Sequence, residues 1–302
     1  PSEEPPLVGQ AYADILNEFL PEGVLQTIHG ADDQGKALVS SDINLVTFTG
    51  SREVGANILT ACGPDLKRVI LELGGKDALI VLNDADIEAA ATFAVHNSFR
   101  NAGQVCVSTE RIYVNDTVAD EFESLVISKT EELKQGNPSE DDVAIGPMVS
   151  STQRDIVLQQ LDQAIEDGAE VRCGGSTHDN FIKPTVLTGC SHQMRIMHDE
   201  TFGPVCCIQR VSNDEQAVEL ANDTPYGLGG AVFGEVEHAV SIARQLTTGM
   251  IGINKACGGA EGTPWVGAGQ SGYGYHSGRD GHRQFTQVRT VNIPIHQVKP
   301  KY

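Results

Sequence analysis

Apolar side chains recur at near-helical spacing over residues 7–20, at Leu7, Val8, Ala11, Ile15, Leu16 and Phe19, and the run stops at Pro21-Glu22-Gly23. That period predicts an amphipathic helix. Residues 24–29 read as a strand, 33–40 as a helix and 45–48 as a strand. Ser51 reads as the N-cap of a helix over 52–60, because its hydroxyl can take up a free N–H of the first turn. Residues 69–71 return to a strand pattern, and the paired glycines Gly74-Gly75 interrupt it as a hinge. Beyond them a second alternation begins: strand 78–81, helix 87–99 behind Asp84 and Asp86, strand 111–114, and a long helix 117–134 closed by Gly136-Asn137-Pro138. A helix over 151–167, strands 170–172 and 204–208, a helix 217–221, a strand 230–233, a helix 236–247 and a strand 251–254 follow. Glycines crowd residues 258–281 and predict a long irregular segment, of the kind that serves function or an interface. Residues 288–293 alternate as a strand. Strand–helix alternation of this kind predicts α/β architecture built on a parallel sheet.

Composition narrows the function classes. A chain of 302 residues has room for two ordinary domains. Hydrophobic residues make up 40%, and no apolar run reaches the length of a membrane span. The opening Pro1-Ser2-Glu3-Glu4-Pro5-Pro6 has neither a basic region nor an apolar signal core, so a cytoplasmic protein that binds no membrane is expected. The formal net charge is -20, from 41 acidic and 21 basic residues, which argues against nucleic acid, since that affinity rests on Lys and Arg at phosphates. The seven cysteines are scattered and include no Cys-x-x-Cys, so neither a metal site nor a disulfide framework is indicated. A reducing compartment fits that usage. Cys206 and Cys207 read as small core hydrophobes in a buried strand.

Two short stretches carry candidate chemistry. Cys106 sits in Gly103-Gln104-Val105-Cys106-Val107-Ser108-Thr109-Glu110-Arg111, and Glu72 in Leu71-Glu72-Leu73-Gly74-Gly75-Lys76. A thiol and a carboxylate on neighbouring elements are the parts for covalent catalysis with a hydrolytic second step. Each has an ordinary alternative: Cys106 as a buried free cysteine, Glu72 as a solvated charge. With Phe48-Thr49-Gly50-Ser51 before them and Glu200-Thr201-Phe202-Gly203-Pro204 after them, the order resembles the NAD(P)-dependent aldehyde dehydrogenase superfamily over residues 1–295. The resemblance implies an aldehyde dehydrogenase-like α/β fold. Residues 1–73 would form a partial Rossmann-like dinucleotide-binding domain, 74–271 an α/β catalytic domain, and 272–302 a return segment and oligomerisation tail. It also implies Cys106 as nucleophile, with its backbone N–H as one oxyanion donor, and Glu72 as general base for thioester hydrolysis. Branches that pass the acyl group to coenzyme A generally lack this carboxylate.

Cofactor residues follow from the same resemblance. Gly50, Ser51 and Gly55 match the pyrophosphate-contacting helix start, where free N–H groups and the dipole favour phosphate. Glu200 matches the glutamate on the nicotinamide ribose, with Phe202 and the Leu73 backbone bordering the nicotinamide. Glu3 matches the acidic residue on the adenosine ribose, where a carboxylate accepts a 2′-OH and repels a 2′-phosphate, so NAD is expected over NADP. The other reading of Glu3 is a terminal surface charge.

For the substrate, a small-molecule aldehyde, Trp265 is either a wall of an apolar tunnel or a core side chain. The 288–293 strand would join a sheet across a subunit boundary in a homodimer or homotetramer. The chain starts just after the position of a lysine that contacts the cofactor in relatives, and lacks the asparagine that supplies a second oxyanion donor. Expected explanations are a fragment of a complete enzyme, one of two assembling chains with a companion supplying the missing half, or a catalytically weak structural or interaction protein. A coenzyme A-acylating dehydrogenase is a further alternative.

Overall fold

Side-chain caps start most of the longer helices. Ser51 accepts the Val54 N–H at 3.3 Å, Asp86 the Ala89 N–H at 3.0 Å, Ser150 the Gln153 N–H at 3.2 Å and Asn213 the Gln216 N–H at 2.9 Å. Each satisfies one of the four N–H groups that a helix leaves open at its start. The computed structural model describes residues 1–258 and 261–294.

The first part runs α1 (Pro6–Asn17), α2 (Asp32–Ser40), β1 (Leu45–Thr49), α3 (Arg52–Cys62) and β2 (Arg68–Glu72). Then come β3 (Asp77–Val81), α4 (Ile87–Phe99), β4 (Thr109–Asn115), α5 (Ala119–Glu131), α6 (Ser151–Glu166) and β5 (Glu170–Cys173). A small ribbon, β6 (Thr177–His178) with β7 (Phe181–Ile182), precedes β8 (Thr185–Thr188), β9 (Val205–Val211), α7 (Asp214–Asn222), β10 (Gly229–Phe233), α8 (Val236–Ala243) and β11 (Met250–Ile253). The chain returns through β12 (Trp265–Val266), β13 (Gly272–Tyr273), β14 (Tyr275–His276) and α9 (Gly278–Gln284).

The large sheet has the order β11-β10-β3-β4-β9-β8-β5. All its pairs are parallel except β5 against β8. Every residue of β3, β4 and β10 is buried, as expected for parallel strands covered by helices on both faces. The central core carries Leu79, Ile112, Val114, Val186 and Val232 at 0% exposure, so the sheet is a rigid base for loops at its rim. A second sheet has the order β1-β2-β13, with β1 and β2 parallel. In it β13, from late in the chain, lies antiparallel to β2 and sets Gly272 opposite Glu72.

Five expectations are corrected. Residues 24–29 form no strand, and Val24 and Ile28 are exposed, since no described strand lies alongside to pair with them. Residues 288–293 likewise form no strand within the chain, and Val288, Val291 and Ile293 are exposed. The 258–281 segment is irregular only in part: it holds β12, β13 and β14 as two-residue pairings too short to leave a period in the sequence. The long helices expected over 117–134 and 236–247 stop at Glu131 and Ala243.

Candidate active site

Glu72 ends β2, held from both flanks. Its carbonyl accepts the Gly50 N–H at 3.0 Å, and the next N–H, of Leu73, donates to the Ser271 carbonyl at 2.9 Å. The side chain is half-buried and forms an ion pair with Nε2 of His276. Burial raises the affinity of this carboxylate for its proton, and the His276 charge opposes that rise. His276 is the one partner of the buried Glu72 Oε1 among the described residues, and no aligned hydrogen bond completes the contact.

Cys106 lies on a loop shaped by three successive left-handed residues, Asn101 (φ 53°), Ala102 (φ 56°) and Gly103 (φ 70°). Only glycine takes that conformation without steric cost, and a Cβ at Gly103 would run into the Gly203 carbonyl. The Cys106 loop is therefore pressed against the loop that follows Glu200. Buried Asn97 braces the other flank, with Nδ2 donating to the Val107 carbonyl at 3.0 Å and to Thr109 Oγ1 at 2.9 Å. Gln104 tethers the loop to a neighbouring segment by accepting the Val149 N–H at 2.8 Å. The thiol is half-buried and pushed up to about 11, first by burial and then by the negative charges of Asp77 and Glu72, with Glu200 adding less. The field of Glu72 thus reaches the thiol, although Glu72 ends a strand of the smaller sheet and Cys106 lies on the turn that leads into β4 of the larger one. Cys106 shares an apolar cluster with Val105, Val107, Met250, Cys257 and Trp265. Trp265 is half-buried there, with no hydrogen-bond partner for its indole N–H among the described residues.

Glu200 accepts the Gly75 N–H at 2.9 Å, and a Cβ on Gly74 would collide with its carboxylate. Its pKa is raised to about 7, chiefly by burial. Its loop is pinned by a buried ion pair that sequence reasoning missed. Lys76 Nζ meets Glu110 Oε2 at 2.6 Å and donates to Thr201 Oγ1 at 3.0 Å. Glu110 accepts the N–H groups of Thr201 and Phe202, each at 2.8 Å. Phe202 is held at φ 51°, a strained value for an aromatic residue, which those bonds offset. Arg111, noted in the sequence five residues after Cys106, is a brace: its Nε donates to the Lys76 carbonyl at 2.8 Å and Nη2 to the Ala221 carbonyl at 3.0 Å.

Gly50, Ser51, Gly55 and Leu73 come together at the start of α3. A Cβ on Gly55 would overlap the Leu73 side chain, so the helix lies directly against the strand end that carries Glu72. With Ser51 capping Val54, the N–H groups of residues 52 and 53 remain for an anion, and a dinucleotide fits that cradle. Glu3 is not gathered with this set; it is exposed on the segment ahead of α1. Among the described residues no group of three or more His, Cys, Asp or Glu could hold a metal ion, and no helix is long and apolar enough to cross a membrane.

The sequence did hold a signal for the missed residues Lys76, Asp77 and Glu110. Each is a charge at the mouth of an otherwise apolar strand, in Lys76-Asp77-Ala78-Leu79-Ile80-Val81 and Glu110-Arg111-Ile112-Tyr113-Val114. His276 had no such signal, because only the β13–β14 return brings it to Glu72.

Comparison with known proteins identifies the family of this fold. The family model described as Aldehyde dehydrogenase family matches residues 1–291. A betaine aldehyde dehydrogenase of Bacillus subtilis (strain 168) is 35% identical over 96% of this chain and 62% of that protein. A salicylaldehyde dehydrogenase of Pseudomonas putida is 39% identical over 93% of this chain and 60% of its own length. The crystal structure of NAD-dependent aldehyde dehydrogenase from Sinorhizobium meliloti superimposes with a TM-score of 0.95 at 31% identity, over 99% of this chain and 61% of that one. Mycobacterium tuberculosis aldehyde dehydrogenase complexed with NAD+ gives 0.93 at 38% identity, over 97% and 62%. The chain spans about three fifths of the length of these relatives. A match of this extent, on a site with these parts, places the chain in the aldehyde dehydrogenase family.

Proposed function

We propose that the protein oxidises an aldehyde to a carboxylic acid with NAD, through a thiohemiacetal and then a thioester on Cys106. The observation that carries this reading is that Glu72, at the end of β2, acts electrostatically on the thiol of Cys106, on the turn ahead of β4, while Glu200 packs on Gly74 and its following loop on Gly103. The Cys106 sulfur adds to the aldehyde carbon. Its raised pKa means that the proton must leave in that step; Glu72 takes it and releases it to solvent before the acyl step. The Cys106 backbone N–H has no acceptor among the described residues and is free to meet the developing oxyanion. NAD, when bound, supplies the hydride acceptor; the start of α3 and Glu200 are the residues that would hold it. Glu72 then takes a proton from water, the water oxygen bonds to the acyl carbon, and the C–S bond breaks with its electron pair returning to Cys106. A carboxylate raised toward neutrality is a better base for this than an ordinary one.

The apolar wall of Val105, Val107, Met250 and Trp265 supports an apolar or aromatic aldehyde. The NAD+ in the named M. tuberculosis structure supports NAD over NADP. Seven free cysteines support a reducing, cytoplasmic setting. The exposed apolar residues Leu7, Val8, Tyr12, Ile15 and Phe19 of and beside α1 support assembly with further polypeptide, in a homodimer, a homotetramer or with a companion chain. Light scattering tests this, and a monomer contradicts it.

The activity test is NADH formation from an aldehyde panel, on this chain and on one extended to the relatives' length. Cys106→Ala should abolish it. Glu72→Gln should give at most one equivalent and leave an acyl-enzyme visible by mass. Turnover that requires coenzyme A selects the acylating reading, and no NADH from either chain selects a structural role.

A further inference from the structure

His276 occupies a position that the fold determines closely. It lies opposite Trp265 in the β12–β14 pair, so its backbone is registered against the wall of the Cys106 cluster. Four residues earlier, β13 is stitched to β2 with Gly272 opposite Glu72. From the far side, α9 approaches so closely that a Cβ on Gly281 would overlap the His276 carbonyl. The next residue, Ser277, is held at φ 63°, a left-handed conformation that costs a non-glycine residue energy, and its Oγ lies 2.8 Å from His276 Nδ1. One ring nitrogen thus faces Glu72 and the other a hydroxyl.

The charges around the cleft give this contact its meaning. Glu72 on β2, Asp77 on β3 and Glu200 on the loop before β9 all act on the thiol through their charge, and all three are acidic. The nearby cations are engaged elsewhere: Lys76 with Glu110, and Arg52 with Gln270 and the Tyr226 ring. From the elements packed on His276, β2 presents Glu72, β12 presents Trp265 and the start of α9 presents Ser277. Imidazole satisfies both neighbours in either protonation state. Charged, it turns an N–H toward each neighbour, Nε2 toward Glu72 and Nδ1 toward Ser277; neutral, it keeps the N–H at Nε2 facing Glu72 while Nδ1 accepts the Ser277 O–H.

We propose that His276 is a positioning residue for deacylation, holding Glu72 as an aimed carboxylate while the Cys106 thioester is hydrolysed. The inference rests on the covalent mechanism proposed above. His276 engages Oε1 and leaves Oε2 to take the proton of the attacking water. That proton then neutralises the departing Cys106 sulfur, so thioester and water give carboxylic acid and thiol, and His276 ends as it began. Without His276 the half-buried carboxylate loses its counter-charge, holds its proton to higher pH and turns over slowly below that point.

The test needs no cofactor. p-Nitrophenyl acetate acylates a reactive thiol and releases p-nitrophenolate. The acetyl-enzyme is formed at one pH, freed of ester, and diluted into buffers from acidic to alkaline while intact mass follows its decay. For wild type the decay should accelerate as Glu72 ionises. His276→Phe should slow decay about tenfold at neutral pH and move the midpoint up by about one unit. His276→Lys, which restores a cation, should bring the midpoint back to or below that of wild type. A merely structural role would lower the fraction of enzyme acylated without moving the midpoint. Coincident midpoints for wild type and His276→Phe overturn the inference and leave the covalent mechanism standing. Wild-type acylation that is absent, or that survives Cys106→Ala, overturns both. Circular dichroism identifies any variant that fails to fold, and the Lys variant then decides alone.

Discussion

Asp77 enters the interior at the first position of β3, with Oδ1 accepting the Gly229 N–H at 3.0 Å and Oδ2 without a hydrogen-bond partner among the described residues. Burial dominates its chemistry and pushes its pKa from 3.8 to about 8. At neutral pH the folded protein therefore keeps this proton, whereas the unfolded chain releases it. Folding takes up a proton between those values, so the destabilising contribution grows from pH 3.8 to about 8 and then levels off. Asp77→Asn removes the ionisation while keeping an acceptor for Gly229. Thermal unfolding should show wild type losing stability from pH 5 to 8 and the variant losing less, by on the order of a few kcal/mol at pH 8. Glu200, raised to about 7, leaves a residual slope of the same sign in both proteins. At this scale the sequence singled out Cys106, Glu72, Ser51 and Glu200 as candidates through their short motifs. It did not reveal the state of Asp77, because a charge beside Gly-Gly looks solvated until neighbouring strands cover it.

Among the elements, the connection between β3, β4 and the Glu200 loop is made by charge rather than by apolar packing. Lys76 and Glu110 are both almost wholly buried, and Glu110 also holds two backbone N–H groups. Removing one partner of such a pair strands the other in a medium that solvates it poorly. Lys76→Met should cost about 3–5 kcal/mol in denaturant unfolding. Adding Glu110→Gln should recover part of that loss, because the amide oxygen is uncharged and still accepts an N–H. If Lys76→Met unfolds like wild type, the pair is no anchor for the loop. Most helices and central strands were legible from periodicity and caps, as with Asp86 at α4 and the apolar run that follows Asp77 in β3. Residues 24–29 and 288–293 carry a strand pattern without strand structure, because β pairing needs a neighbour that local sequence cannot supply. β8 was missed for the opposite reason: four residues between Pro184 and Gly189 are too few to show a period, yet pairing with β5 and β9 makes them a strand.

Across the whole molecule, burial is uneven. The large sheet and its helices enclose one continuous core, whereas the β1–β2 region buries a separate small cluster of Val46, Cys62, Val69, Leu71 and Leu73. Ahead of it, α2 has no buried residue and α1 only Ala13. Few buried apolar contacts mean low free energies of local opening. Hydrogen exchange should therefore be fastest over residues 1–44, intermediate over 45–72 and slowest in β3, β4 and β9. Equal protection across these segments would contradict the packing. A chain extended to the relatives' length, or a companion chain, should slow exchange in α1 if further polypeptide covers Leu7, Val8 and Ile15.

By itself the sequence determined the alternation of strands and helices and the parallel α/β class, and it singled out one thiol and one carboxylate as candidates for the chemistry. Each of these rests on local spacing or on a motif of a few residues. Only the tertiary structure decided the surroundings that set their reactivity: the His276 contact on Glu72, the acid cluster that raises the Cys106 thiol, and the buried Lys76–Glu110 pair under the Glu200 loop. Those are interactions between residues far apart in the chain, created by strand pairing and by exclusion of water, and neither exists until the chain has closed on itself.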